Sequence, residues 1–234
     1  DPRGNTTLYD YDSYDLYVSS TTNAAGHNSQ YEYDYSSGQV ATTTNTNGEV
    51  FVTLYDGFDR PLTEYAPDPQ PGNQVLVSAY LYTYTAGSVS VQKTNYLSDT
   101  VSHNTYTYLD GFGQVVQERV EAEDTNEYSV RDFIYGDNGL LEKESLPYFS
   151  NGTSRTTATT DSDLLSTYTY DALGRITSVL NTIGTTNTSY DQLKETITDT
   201  ASNDMVFKYD AFGQLETVTE NEGSSSYETD YAWD

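Results

Sequence analysis

The sequence predicts an all-β fold: tandem β-hairpins joined into one continuous, curved or spiralling antiparallel sheet, part of a shell or a solenoid. Three observations predict it. An aromatic motif, Tyr-x-Tyr-Asp or a close variant, recurs along the whole chain. The residues around it alternate with period 2, which sets the rings on one face of a strand rather than along a helical stripe. Each copy is followed by turn residues at a fixed offset, as a hairpin requires.

The motif stands at Tyr9–Asp12, Tyr31–Asp34, Thr53–Asp56, Tyr106–Asp110, Tyr168–Asp171, Phe207–Asp210 and Tyr231–Asp234. Its second aromatic falls at Tyr11, Tyr33, Tyr55, Tyr108, Tyr170, Tyr209 and, with the Asp displaced, Tyr231. Tyr11, Tyr33 and Tyr55 are 22 residues apart, and Tyr190-Asp191 divides the interval from Tyr170 to Tyr209 into 20 and 19. Weaker copies at Tyr80–Tyr84 and Phe133–Asp137 occupy the larger gaps. Residues 1–234 therefore read as a single array of about nine to ten units, with inserted loops near 66–74 and 147–165. The first loop is Pro-rich and stiff, and Ser150–Asp163 within the second is Ser/Thr-rich and exposed. The chain is expected to be a piece of a larger protein.

Each unit reads as strand, turn, strand, turn. Tyr, Thr and Val fill the strands, and helix formers are scarce there. The first turn carries the motif Asp (Asp12, Asp34, Asp56, Asp110, Asp171, Asp210), whose carboxylate accepts amides two residues on. Gly113, Gly174 and Gly213 supply positive φ at the turn exit, and Asp59 stands in their place after Asp56. The residue between, Phe58, Phe112, Leu173 or Phe212, is expected to fold back over its hairpin. A second turn is marked by Asn23–Gly26, Asn45–Gly48, Asn181–Gly184 and Asn221–Gly223.

Composition says what the core is made of. Leu, Ile, Val and Phe make up about 19% of the chain, close to the range of disordered sequences. The 24 tyrosines supply the missing apolar surface. The core is thus expected to be a ladder of tyrosine rings contributed by successive hairpins, which excludes a Leu-rich helical bundle. The net charge of −26 excludes a nucleic-acid binder working through a basic surface. The same charge resists edge-to-edge aggregation, would repel an acidic partner or attract a basic one, and equally suits a high-salt habitat. There is no cysteine, and no apolar run is long enough to span a bilayer as a helix.

Tyr170-Asp-Ala-Leu-Gly-Arg-Ile176, Tyr209-Asp-Ala-Phe-Gly-Gln-Leu215 and Asp1–Asp12 resemble the YD (Rhs) repeat. The segment from Ser145-Leu-Pro-Tyr-Phe149 to Arg175 is similar to the SpvB/Tc-toxin-B branch, with teneurins more distant. The resemblance implies a hollow shell that encloses a toxic C-terminal polypeptide, in a secreted or cell-surface protein. The partners it implies are the remaining repeats of the parent chain, other copies, and that enclosed polypeptide. It gives this segment a structural and non-catalytic role. Adhesion to glycan or protein at a cell surface is the alternative.

Chemistry is sparsely provided. His27 and His103 sit among polar turn residues, where a Ser-His-Asp trio arises by coincidence. No cofactor is expected. Asp10, Asp12 and Asp15, or Asp161 and Asp163, offer at most a weak surface Ca²⁺ site, because neither completes a calcium loop. Tyrosine faces suit sugars, but regular spacing favours packing of the rings on one another.

Overall fold

The computed structural model describes residues 4–68, 73–85 and 88–233. Residues 69–72 of the Pro-rich loop, the first three residues of the resemblance and Asp234 lie outside them. Twenty strands and no helix occur among the described residues. They fall into two compact units, residues 1–107 and 108–234.

In the first unit the strands are β1 (Leu8–Tyr11), β2 (Val18–Thr22), β3 (Asn28–Asp34), β4 (Gln39–Thr44), β5 (Val50–Tyr55), β6 (Pro61–Pro67), β7 (Gln74–Thr85) and β8 (Ser88–Ser98). Each pairs antiparallel with the next in chain order. The strand β9 (Val101–Leu109) runs across the division between the units. It contains His103, so that residue is in a strand and not in a turn.

The second unit continues with β10 (Val115–Glu121), β11 (Glu127–Tyr135), β12 (Leu141–Ser145), β13 (Tyr148–Asn151) and β14 (Leu165–Tyr170). It ends with β15 (Ile176–Asn181), β16 (Gly184–Asp191), β17 (Lys194–Thr198), β18 (Asp204–Tyr209), β19 (Leu215–Glu222) and β20 (Ser225–Asp230). From β14 to β20 the ladder again follows chain order. At β11 it forks. One edge of β11 pairs with β10, while the other pairs with β13 over Glu127–Val130 and with β12 over Phe133–Tyr135. β12 passes the ladder on to β14.

Both kinds of turn use one device. The side-chain oxygen of Asp56, Asp110, Asp171 and Asp210 accepts the amides two and four residues on, at 2.8–3.1 Å. Asn23, Asn45 and Asp199 do the same in turns of the opposite rim. The chain leaves these turns through the left-handed region, at φ +80° for Gly174 and +79° for Gly213, and Asp59 adopts it at +61°. Here the amide of the middle residue points inward to the carboxylate, so its side chain is directed out along the rim. That overturns the expected fold-back. Phe58, Phe112, Leu173 and Phe212 are 79–93% exposed.

A tyrosine-ring interior is also not what forms. Among the described residues, the buried apolar side chains are Tyr108, Tyr128 and Val130. Most motif tyrosines are half-buried, and Tyr11 is exposed. Ring-on-ring contacts concentrate at Tyr14, Tyr17, Tyr33 and Tyr35, with Tyr17 stacked on Tyr33 at 4.5 Å. One sheet layer has too little volume to enclose rings on all sides, so the tyrosines act through their edges and hydroxyls.

Replacing Gly174 or Gly213 with Val should cost more than about 1 kcal/mol, because a β-branched residue is strained at positive φ. Gly57→Ala, with ordinary φ and open space around the added Cβ, should melt like the parent. Equal melting of all three variants would rule out the turn conformation.

Candidate functional site

The motif residues are not gathered at one place. They form a repeated joint between neighbouring units, and a separate polar cluster sits at the fork.

The joint begins at a β-bulge. Just before each motif turn the pairing slips by one residue, at Glu32/Tyr33, Leu54/Tyr55, Ile134/Tyr135, Thr169/Tyr170 and Lys208/Tyr209. The residues facing these tyrosines are Val40, Pro61, Leu141, Ile176 and Leu215. A bulge takes backbone groups out of the ladder, and a carbonyl removed from water needs a donor. The next unit provides one. Tyr55 donates its hydroxyl to the Val40 carbonyl at 2.9 Å and Tyr82 to that of Pro61 at 2.9 Å. Tyr170 donates to Leu141 at 2.7 Å, Tyr190 to Ile176 at 3.0 Å, and the Trp233 indole N–H to Leu215 at 2.8 Å. The weaker copies at Tyr82 and Tyr190 thus make the same joint as the strong ones. In the last copy the donor is Trp233, so the expected position, Tyr231, is corrected. The β16–β17 pairing has no bulge, and there Tyr209 is placed by its own amide, which donates to the Leu193 carbonyl at 2.9 Å. At the bulge facing Val18, the ring stack of Tyr17 on Tyr33 marks the joint instead.

Arginine completes two joints. Asp56 accepts from the Arg60 guanidinium, which lies 3.9 Å from the Tyr82 ring centroid. Asp171 pairs with Arg175 at 2.7 Å, and Arg175 lies 4.1 Å from the Tyr190 centroid. The guanidinium of one unit therefore caps the ring of the next. The Arg60 hydrogen bond holds the Asp56 carboxyl below its ordinary range, and the Arg175 amide does the same for Asp171. Asp34 is lowered by the Ser36 hydroxyl and accepts the Ser36 amide at 2.9 Å. Asp12 caps its own turn, taking the Tyr14 and Leu16 amides at 3.1 and 2.9 Å.

The fork holds what the sequence reading missed. Gln117 and Arg119 of β10, Asp132 of β11 and Ser145 of β12 are almost wholly buried. Arg119 donates Nε to Gln117 Oε1 at 3.0 Å, and its other nitrogens reach the Gly152 carbonyl at 2.6 Å and Thr156 Oγ1 at 2.9 Å. Gln117 donates to Asp132 Oδ1 at 2.7 Å. Asp132 Oδ2 accepts the Tyr148 hydroxyl at 2.7 Å and the Thr159 amide at 2.8 Å. Tyr108 donates to the Thr153 carbonyl. Burial, reinforced by the bond to Asp132, pushes the Tyr148 hydroxyl up to about 12. The stretch from Ser150 to Asp163 begins with the end of β13, and from Gly152 on it is the irregular, mostly exposed loop expected, a strap whose backbone and Thr156 hydroxyl nonetheless bond the buried side chains beneath it. A detectable signal existed: Tyr128-x-Val130-x-Asp132 places a carboxylate in phase with two apolar residues.

No group of three or more His, Asp or Glu side chains among the described residues is arranged to hold a metal ion. Asp10 instead accepts the Ser20 hydroxyl, and Asp161 accepts the Asp163 amide. His27 lies against the Asn23 amide. Among the described residues no helix is long and apolar enough to cross a membrane.

No family model matches the sequence, and no curated protein does. Solved structures do match. TcdB2–TccC3 superposes with a TM-score of 0.72 at 16% identity, over 97% of this chain and 15% of that one. The same score is reached against TcdB2–TccC3–Cdc42 at 13% identity and a Photorhabdus luminescens Tc holotoxin pore at 14%. The chain has their fold. It spans about one sixth of the length of those chains, 15–17%.

Two predictions follow from this geometry. Tyr170→Phe should lose about 0.5–1.5 kcal/mol by leaving the Leu141 carbonyl without its donor, whereas Tyr227→Phe should be neutral; indistinguishable melting would remove the joint. The Asn203 amide holds the Asp199 carboxyl below 3.8, so its contribution is complete above that value and is lost as pH falls through the lower, folded-state value. Asp199→Asn keeps a capping oxygen but cannot titrate, so its stability should decline less steeply in acid than the parent's, as read by pH-dependent melting.

Proposed function

We propose that this chain is a wall segment of a YD-repeat shell in a secreted, toxin-related protein, serving to confine or protect another polypeptide without catalysing a reaction. The observation that carries this reading is the joint itself. At five positions an aromatic of one unit completes the hydrogen bonding of the unit before it, so the array is built to extend as a sheet rather than to close around a cleft. The Tc toxin fold over 97% of the chain supports the same reading. Against catalysis stands the fork, the most buried polar cluster described. Its arginine and carboxylate are committed to the strap and to each other through Gln117, and no histidine is among its partners.

Limited proteolysis of the full-length parent protein, followed by mass spectrometry, tests this. A polypeptide outside the repeats should resist protease while the repeats are folded, and be degraded once mild acid or denaturant opens them. Degradation at the same rate before and after opening would refute a confining wall.

A further inference from the structure

We infer that one face of β17–β20, the one that carries Ile197, Met205, Glu220 and Tyr227, is a docking groove for an extended, basic segment of a partner polypeptide. A cavity of about 410 Å³ opens there, lined by Ile197, Met205 and Tyr227 together with Asp199, Glu220 and Glu222. The registers explain its shape. Ile197 faces Met205, Met205 faces Glu220, and Glu220 faces Tyr227, so one residue from each of four successive strands stands in a single row on one face. Met205 and Tyr227 are exposed, at 38% and 62%. The row is thus an apolar floor interrupted by one carboxylate, and Glu222 extends the acidic wall two residues further along β19. No lysine or arginine lines the cavity.

Charge complementarity chooses the occupant. A carboxylate between apolar side chains suits a Lys or Arg whose aliphatic stem rests on Met205 while its head meets Glu220. The Tyr227 ring offers such a head a cation–π face. The dimensions favour a peptide over a small cation. Four strands span about 14 Å, and five residues of extended chain cover about the same length with alternate side chains on one side. The matching segment reads apolar-x-basic-x-apolar. This inference stands whether or not the chain walls a shell.

The test uses the whole chain and a blocked, fluorescent nonapeptide centred on Leu-Ser-Arg-Ser-Leu, read by anisotropy at physiological salt. Glu220→Arg should weaken binding about tenfold or more, whereas Glu123→Arg, the same charge change at a remote turn, should leave it unchanged. The Glu220→Arg protein should in turn prefer the peptide with Glu in place of Arg. Tyr227→Ser, at an exposed position, should weaken binding without altering the melting curve. Four results would overturn the inference: no binding, equal loss in the Glu220→Arg and Glu123→Arg proteins, failure of the charge swap, or displacement by free spermine as effective as by unlabelled peptide.

Discussion

The fold depends on one debt of hydrogen bonding that a bulged unit leaves to the next, settled by a side-chain donor at five positions. Closing the five-residue motif turn forces a bulge into the strand pair, and the bulge removes a carbonyl from the ladder. The motif aromatic of the next unit, or Tyr82 of a weaker copy, reaches across the adjacent strand and donates to it. Each such bond contributes about 0.5–1.5 kcal/mol net. Tryptophan does this as well as tyrosine because the requirement is a ring long enough to span the gap and a donor at its far edge. Phenylalanine has the ring without the donor.

This joint also accounts for how a chain so poor in aliphatic residues remains ordered. A single sheet layer cannot bury much, and the described residues contain few fully buried apolar side chains. Stability must then come from many small terms repeated along the array: ladder bonds, side-chain caps at both rims, half-buried rings and guanidinium groups laid over them. Repetition makes such terms additive between neighbours. The excess of carboxylates fits the same scheme. Several are engaged as turn caps, where ionisation strengthens the bond to the amide.

What was legible in the sequence was whatever a short local rule controls. Period-2 alternation and the Asp-to-Gly spacing of Asp171–Gly174 and Asp210–Gly213 set strands and turns correctly, because an Asx cap and a positive φ are decided within five residues. The role of the tyrosines was legible only in part. Composition announced that rings were needed, but whether a ring stacks on another ring or donates an edge depends on the register of two strands 14–29 residues apart. Phe112 and Phe212 misled because burial was inferred from residue type, whereas the cap dictates direction and nothing lies beyond the rim to cover them. Solved relatives in structure settle the fold, not the partner.

The fork shows where repetition gives way to a unique solution. A plain repeat would let β11 pair with one neighbour on each edge, but β13 and β12 share one edge of it, and the chain between β13 and β14 must cross the opening. Covering that opening with apolar residues would stabilise it without fixing the strap, since apolar contact is not directional. Buried hydrogen bonds are directional, and an unsatisfied one is costly. Arg119 gripping the Gly152 carbonyl and Thr156, and Asp132 gripping the Thr159 amide, therefore specify one path for the strap at two points. Truncating either side chain would remove several bonds at once and leave the buried Gln117 without one of its partners, so the local penalty should exceed that of losing any one joint. β14 follows β12 in the ladder while β13 occupies the other part of the β11 edge, and the cluster bonds the loop between β13 and β14 at Gly152, Thr156 and Thr159.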